Sequence, residues 1–122
     1  METELINQNE ILSQLNYFSG SENWYKIPLS VYNYTDGIKS LIDNCRCYWL
    51  VSDLAIELTI KKINKPFILV RIEIKDNKAL ITLREDSNLK PFLTKRYTYT
   101  DFPLSEYEFY IEGNTFLLKG EH

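Results

Sequence analysis

The period of the apolar residues changes once along this chain, at Pro66, and that change constrains the fold more than any motif does. Upstream the spacing is helical. Leu5, Ile6, Ile11, Leu12 and Leu15 suit one stripe of a first helix over residues 3–16. Thr35 or Asp36 can cap a second helix through Ile38, Leu41 and Ile42 that stops near Asn44, because a short side-chain oxygen satisfies the free amides of a first turn. A third helix runs from about Cys47 to Lys62 with Leu50, Leu54, Ile56, Leu58 and Ile60, and Pro66 forbids its continuation. Between the first two helices, Phe18–Asn23 is turn chemistry, and Trp24–Pro28 reads as an extended or irregular segment.

Downstream the period is two. Ile68, Val70, Ile72 and Ile74 alternate with Phe67, Leu69, Arg71, Glu73 and Lys75, the signature of a half-buried strand, and Asp76-Asn77 turns it into a second strand over 79–84. A third strand is expected at about 93–99, and strands 107–112 and 115–119 are joined through Gly113-Asn114. Helices and then strands give an α+β fold: two or three N-terminal helices packed on one face of a roughly five-stranded antiparallel meander. At 122 residues the chain fits one domain, with a helical part of about 3–62 and a sheet part of about 67–119. In this reading 115–119 is an exposed edge available for pairing, so the expected state is a monomer or a homodimer. No apolar run approaches a membrane span and the first ten residues are acidic and amide-rich, so a cytoplasmic protein without a membrane partner is expected.

The inventory for catalysis is thin. One histidine, His122, ends the sequence and is expected to fray, which removes the base that a serine or cysteine nucleophile needs. Cys45 and Cys47 supply two of the four ligands a structural zinc requires, and they suit a packed helix better than a metal or a disulfide. Phosphate-binding glycine motifs are lacking. No cofactor is expected.

With the elements placed, three landmarks stand in order: Tyr34-Thr35-Asp36-Gly37, Tyr48-Trp49-Leu50 and Tyr99-Thr100-Asp101-Phe102-Pro103. Together with Phe18-Ser19-Gly20-Ser21-Glu22 and Ser52-Asp53-Leu54-Ala55, they resemble an uncharacterised bacterial and phage family, a domain of unknown function, over about residues 12–118. The Arg46-Cys47 before Tyr48 and the ending Lys119-Gly120-Glu121-His122 depart from that family's pattern. The resemblance implies a compact domain and no particular reaction. Read physically, the first landmark caps a helix, Tyr48 and Trp49 seal the core, and Asp101 with Pro103 turns the chain. A ligand site formed where the two Tyr-Thr-Asp corners meet is the competing reading.

Charge is segregated: residues 1–60 carry a net −5, residues 61–96 a net +6 and residues 97–122 a net −4. Acidic ends combined with interface-type aromatics point to a protein-binding regulator or inhibitor of a basic, nucleic-acid-handling partner. A CRISPR effector ribonucleoprotein of a bacterial host is the most specific such partner, with Glu22, Trp24, Tyr25, Tyr32 and Asp36 as contacts. The alternative is an RNA- or DNA-binding module using Arg71, Lys75, Arg84, Lys95 and Arg96, provided these share the exposed sheet face. A third reading is an enzyme or ligand binder at Asp36 and Asp101.

Overall fold

A computed structural model describes residues 2–20 and 22–122, with side chains from residue 8 onward. The elements in order are α1 (Glu2–Asn16), β1 (Trp24–Lys26), β2 (Asn33–Thr35), α2 (Asp36–Cys45), α3 (Tyr48–Ile60), β3 (Phe67–Lys75), β4 (Lys78–Arg84), β5 (Leu93–Tyr97), β6 (Glu106–Glu112), β7 (Thr115–Leu118) and a 3-10 turn at Lys119–Glu121. The α+β class and the change of period at Pro66 hold. The meander does not. The sheet has seven strands in the order β1-β2-β7-β6-β3-β4-β5, and β2 pairs parallel to β7.

Two causes separate this sheet from a five-stranded meander. After β5 the chain crosses back so that β6 pairs with β3, which has β4 on its other side. The segment expected to be irregular instead folds into a short hairpin, β1 with β2, that docks on β7. Strand 115–118 is therefore paired on both sides. The free edges are β1 and β5, which alters the surface open to strand pairing.

The helix stops reflect local chemistry. α2 ends at Arg46, in the left-handed region at φ 51°, while the Cys47 amide reaches back to the Ile42 carbonyl. α3 ends likewise, with Lys62 at φ 56° and the Ile63 amide on Leu58. Asp76 and Asn77 both take positive φ, as the sharp β3–β4 hairpin demands.

The core lies between the helices and the sheet face bearing Ile68, Val70, Ile72, Ile81, Leu83, Phe109, Ile111 and Phe116. Ile38 and Leu41 of α2, and Leu50, Val51, Leu54 and Leu58 of α3, fill it from the helical side. Leu15 of α1 is buried and Ile11 and Leu12 are half-buried against it, whereas the side chains of Leu5 and Ile6 lie outside the described residues. Tyr48 and Trp49 do not seal this core. Both are exposed, with Trp49 edge-on to Tyr97 at the sheet margin. His122 is not frayed: its ring packs on Phe67 and Tyr110, and it pairs with Glu112. Among the described residues, no helix is long and apolar enough to cross a membrane.

Candidate functional site

The Tyr34–Gly37 corner joins β2 to α2, and each of its residues makes a distinct contact. Tyr34 stacks on Tyr25 across the β1–β2 pair at a 5.2 Å ring separation. Thr35 is the N-cap: its hydroxyl accepts from the Ile38 amide at 3.3 Å and donates to Glu121 Oε1 at 2.7 Å. Asp36 accepts from the Asn23 amide at 3.1 Å, the Asn23 side chain at 3.2 Å and the Tyr25 hydroxyl at 2.9 Å. These bonds, that of Tyr25 foremost, hold the Asp36 carboxyl below the usual carboxylate range.

Gly37 makes room for a carboxylate. Its amide donates to Glu121 Oε2 at 3.1 Å, and a Cβ there would stand 2.5 Å from the Glu121 carboxyl carbon and 2.8 Å from Leu118 Cδ1. Glu121 thus places negative charge on the first turn of α2, where the helix dipole favours it, and also accepts from the Leu118 amide at 3.0 Å. The residue lies in the stretch that departs from the resembled family pattern, so the sequence carried no pointer to it.

A cleft of about 1000 Å³ opens beside this corner, lined in part by Tyr17, Phe18, Glu22, Asp36, Lys39 and Asp43. Lys39 pairs with Asp43 at 3.0 Å, which leaves Glu22 and Asp36 to set the field of the rest of the wall. Trp24, on edge strand β1, follows the lining residue Asn23 in sequence and has 58% of its surface exposed. Of the five protein-contact candidates, Glu22 and Asp36 line the cleft, Tyr25 reaches it through its hydroxyl on Asp36, and Trp24 stands on β1 outside the lining. Tyr32 is not among them: it is a core residue at 4% exposure, edge-on to Phe116, with its hydroxyl donating to the Ile63 carbonyl at 3.2 Å.

The second corner contributes nothing to that cleft. Thr100 donates its amide to the Asn77 carbonyl at 2.7 Å and accepts from the Phe102 amide at 3.1 Å, so Thr100 rather than Asp101 makes the turn. Asp101 is exposed. Asp36 and Asp101 come after strands that β7, β6, β3 and β4 separate in the sheet.

The five basic residues do not share one face. Arg71, Lys75, Arg84 and Arg96 register on the outer side of the sheet, whereas Lys95 faces the helices. There its ammonium donates to Asp53 at 2.6 Å and Glu57 at 3.0 Å, one turn apart on α3. Arg71 is clasped by Glu73 at 2.8 Å and by Glu106 and Glu108 at 3.0 Å, and its bonds to Glu73 and then Glu108 raise its pKa further. Arg84 is engaged with Thr82 at 3.1 Å, while Lys75 and Arg96 are exposed.

Lys95 belongs to a cluster that sequence reading did not assemble. Tyr97 donates its hydroxyl to Asp53 as well, and burial, then that carboxylate, raises the phenol's pKa. Burial pushes the Asp53 carboxyl up, but Lys95 and Tyr97 outweigh it and hold the group low. The readable signal was the i,i+4 spacing of Asp53 and Glu57. Cys45 and Cys47 are both buried, and burial pushes the Cys45 thiol up to about 12, far from a thiolate at neutral pH.

Residues 9–122 match the model of a family of unknown function, DUF6876. No curated protein and no solved structure matches the chain.

Proposed function

We propose that the chain, which belongs to the DUF6876 family of unknown function, is a non-enzymatic protein-binding module that regulates or inhibits a partner. The observation that carries this reading is a cleft whose carboxylates outside the Lys39–Asp43 pair are Glu22 and Asp36, with the exposed Trp24 following its lining residue Asn23 along the chain. A rigid aromatic on a strand edge is a typical interface anchor, and the acidic wall suits a cationic segment of the partner. Asp36 is already oriented by Asn23 and Tyr25, so little side-chain freedom is lost on binding. An inhibitor of a basic nucleic-acid-handling effector, in the manner of phage anti-CRISPR proteins, is the most specific form of the proposal.

The test compares tagged wild-type protein with a Trp24→Ala, Glu22→Lys variant in nuclease-treated bacterial lysate, read by mass spectrometry. A protein retained by the wild type and lost with the variant is the expected result. Equal recovery by both overturns the reading, as does recovery of nucleic acid and no protein from a parallel lysate left without nuclease.

A further inference from the structure

The opposite end of the β1–β2 hairpin has a different chemistry. Residues 28–31 form a tight loop closed by the Ile27 amide on the Tyr32 carbonyl at 2.9 Å. Ser30 braces it, donating its hydroxyl to the Ile27 carbonyl at 2.7 Å and accepting from the Tyr32 amide at 3.1 Å. On this braced loop Leu29 is 85% exposed and Val31 59% exposed. The Val31 amide donates to Thr59 at 3.2 Å, which sets the loop against the end of α3, where Ile60 is 73% exposed. Exposed Leu29 and Val31 thus stand on a braced loop that abuts the end of α3, where exposed Ile60 follows Thr59.

Leu29 is the informative residue. Its φ is 63°, in the left-handed region where glycine or asparagine is favoured and a bulky side chain is disfavoured. Neither the backbone nor the core rewards leucine at that position, so its value lies in what the side chain meets outside the molecule. Isolated exposed aliphatics need no explanation, but three near one loop-to-helix contact, one of them at positive φ, do.

Immediately behind the tip in sequence stand Lys26 on the strand side and Lys61 and Lys62 on the helix side, all three exposed. Lys61 leans toward Glu57 at 3.9 Å. The layering, aliphatic groups foremost and ammonium groups close behind, matches an anionic bilayer, where acyl chains lie beneath a plane of phosphates. Lys26, Lys61 and Lys62 supply the local positive charge that an anionic surface attracts, against an overall net charge of −3.

We infer that the Leu29, Val31, Ile60 tip with its Lys26, Lys61, Lys62 collar is a peripheral docking site for anionic lipid surfaces. It is independent of the cleft at the other end of the hairpin, and the two readings fail separately.

The experiment is co-sedimentation of the full chain with phosphatidylcholine vesicles, with and without a minority of phosphatidylglycerol. The wild type is expected to sediment with the anionic vesicles, weakly with the neutral ones, and less as salt rises. Leu29→Asn retains the left-handed backbone and removes the aliphatic group; it is expected to keep or raise the melting temperature while sedimentation falls severalfold. Ile60→Gln is expected to lower sedimentation likewise, and Lys61→Glu or Lys62→Glu to lower partition to anionic vesicles at least about fivefold each. No sedimentation of the wild type overturns the inference, as does sedimentation that Leu29→Asn and Ile60→Gln leave unchanged. If these variants lose a lysate protein while the wild type ignores vesicles, the tip fits a protein groove and the lipid assignment is wrong.

Discussion

The tripeptide Tyr-Thr-Asp occurs twice in this chain, and the two copies do different work. At Tyr34–Asp36 the threonine caps a ten-residue helix, the aspartate gathers three hydrogen bonds from Asn23 and Tyr25, and the tyrosine stacks on a neighbouring strand. At Tyr99–Asp101 the threonine closes a turn, while the tyrosine and the aspartate are exposed. The residues just downstream of each copy account for the divergence. Gly37 admits the Glu121 carboxylate and lets a helix start, whereas Phe102 is buried and Pro103 cannot donate an amide to a helical or strand ladder. A short motif therefore specifies a corner, and its surroundings decide how much stability depends on it.

The sharpest way to break this asymmetry is Gly37→Ala. Alanine is the better helix former by about 1 kcal/mol, but the overlap with Leu118 and Glu121 outweighs that gain, and a net loss of about 2 kcal/mol is expected in urea unfolding. The penalty should shrink in a Glu121→Ala background, because one of the two obstructing side chains is then gone. Thr35→Ala removes the cap and leaves Glu121 short of a donor, an expected loss of about 1–2 kcal/mol and a fall in melting temperature of about 4 °C for each.

Asp36 sharpens the comparison through pH. Its folded pKa lies below the ordinary value, so its contribution is complete above that value and is lost as pH falls through the folded one. Asp36→Asn should flatten the decline of the urea midpoint as pH falls below the ordinary carboxylate range, relative to wild type. At the second corner, Thr100→Ala should cost about 1 kcal/mol by orphaning the Phe102 amide, and Asp101→Asn should stay within about 0.5 kcal/mol. If Asp101→Asn proved as damaging as Thr35→Ala, the distinction between the corners would collapse.

Much of this fold was legible because local chemistry and tertiary structure agree. The three helices, the Thr35 cap and the hairpins at Asp76-Asn77 and Gly113-Asn114 are set by periodicity and turn residues. The β1–β2 hairpin was not legible, since three-residue strands have too few positions to display a period of two, and its pairing with β7 links residues about eighty apart. For the same reason the sheet order escaped: nothing local says that β6 returns to β3. Of the candidate contacts, Glu22 and Asp36 meet at the cleft and Tyr25 bonds Asp36, while Tyr32, one tyrosine among several in the same stretch, packs edge-on to Phe116 in the core. Lys95 and Arg96 show how a single register step sends adjacent cations to opposite faces.

The pairing of β2 with β7 and of Thr35 with Glu121 also bears on the order of events during synthesis. A chain emerging from its amino end exposes the start of α2 early, yet the carboxylate that completes that helix start is 84 residues further on from Gly37. Until then α2 has only its own cap, and the β1–β2 hairpin has no strand on which to dock. Closing so long a loop is slow relative to local hairpins, so β3 with β4 can form ahead of the region that carries the cleft. The nascent protein would thus hold its sheet centre before its β1–β2 edge has docked, and the helix start beside the cleft is completed only when nearly all of these residues have been made.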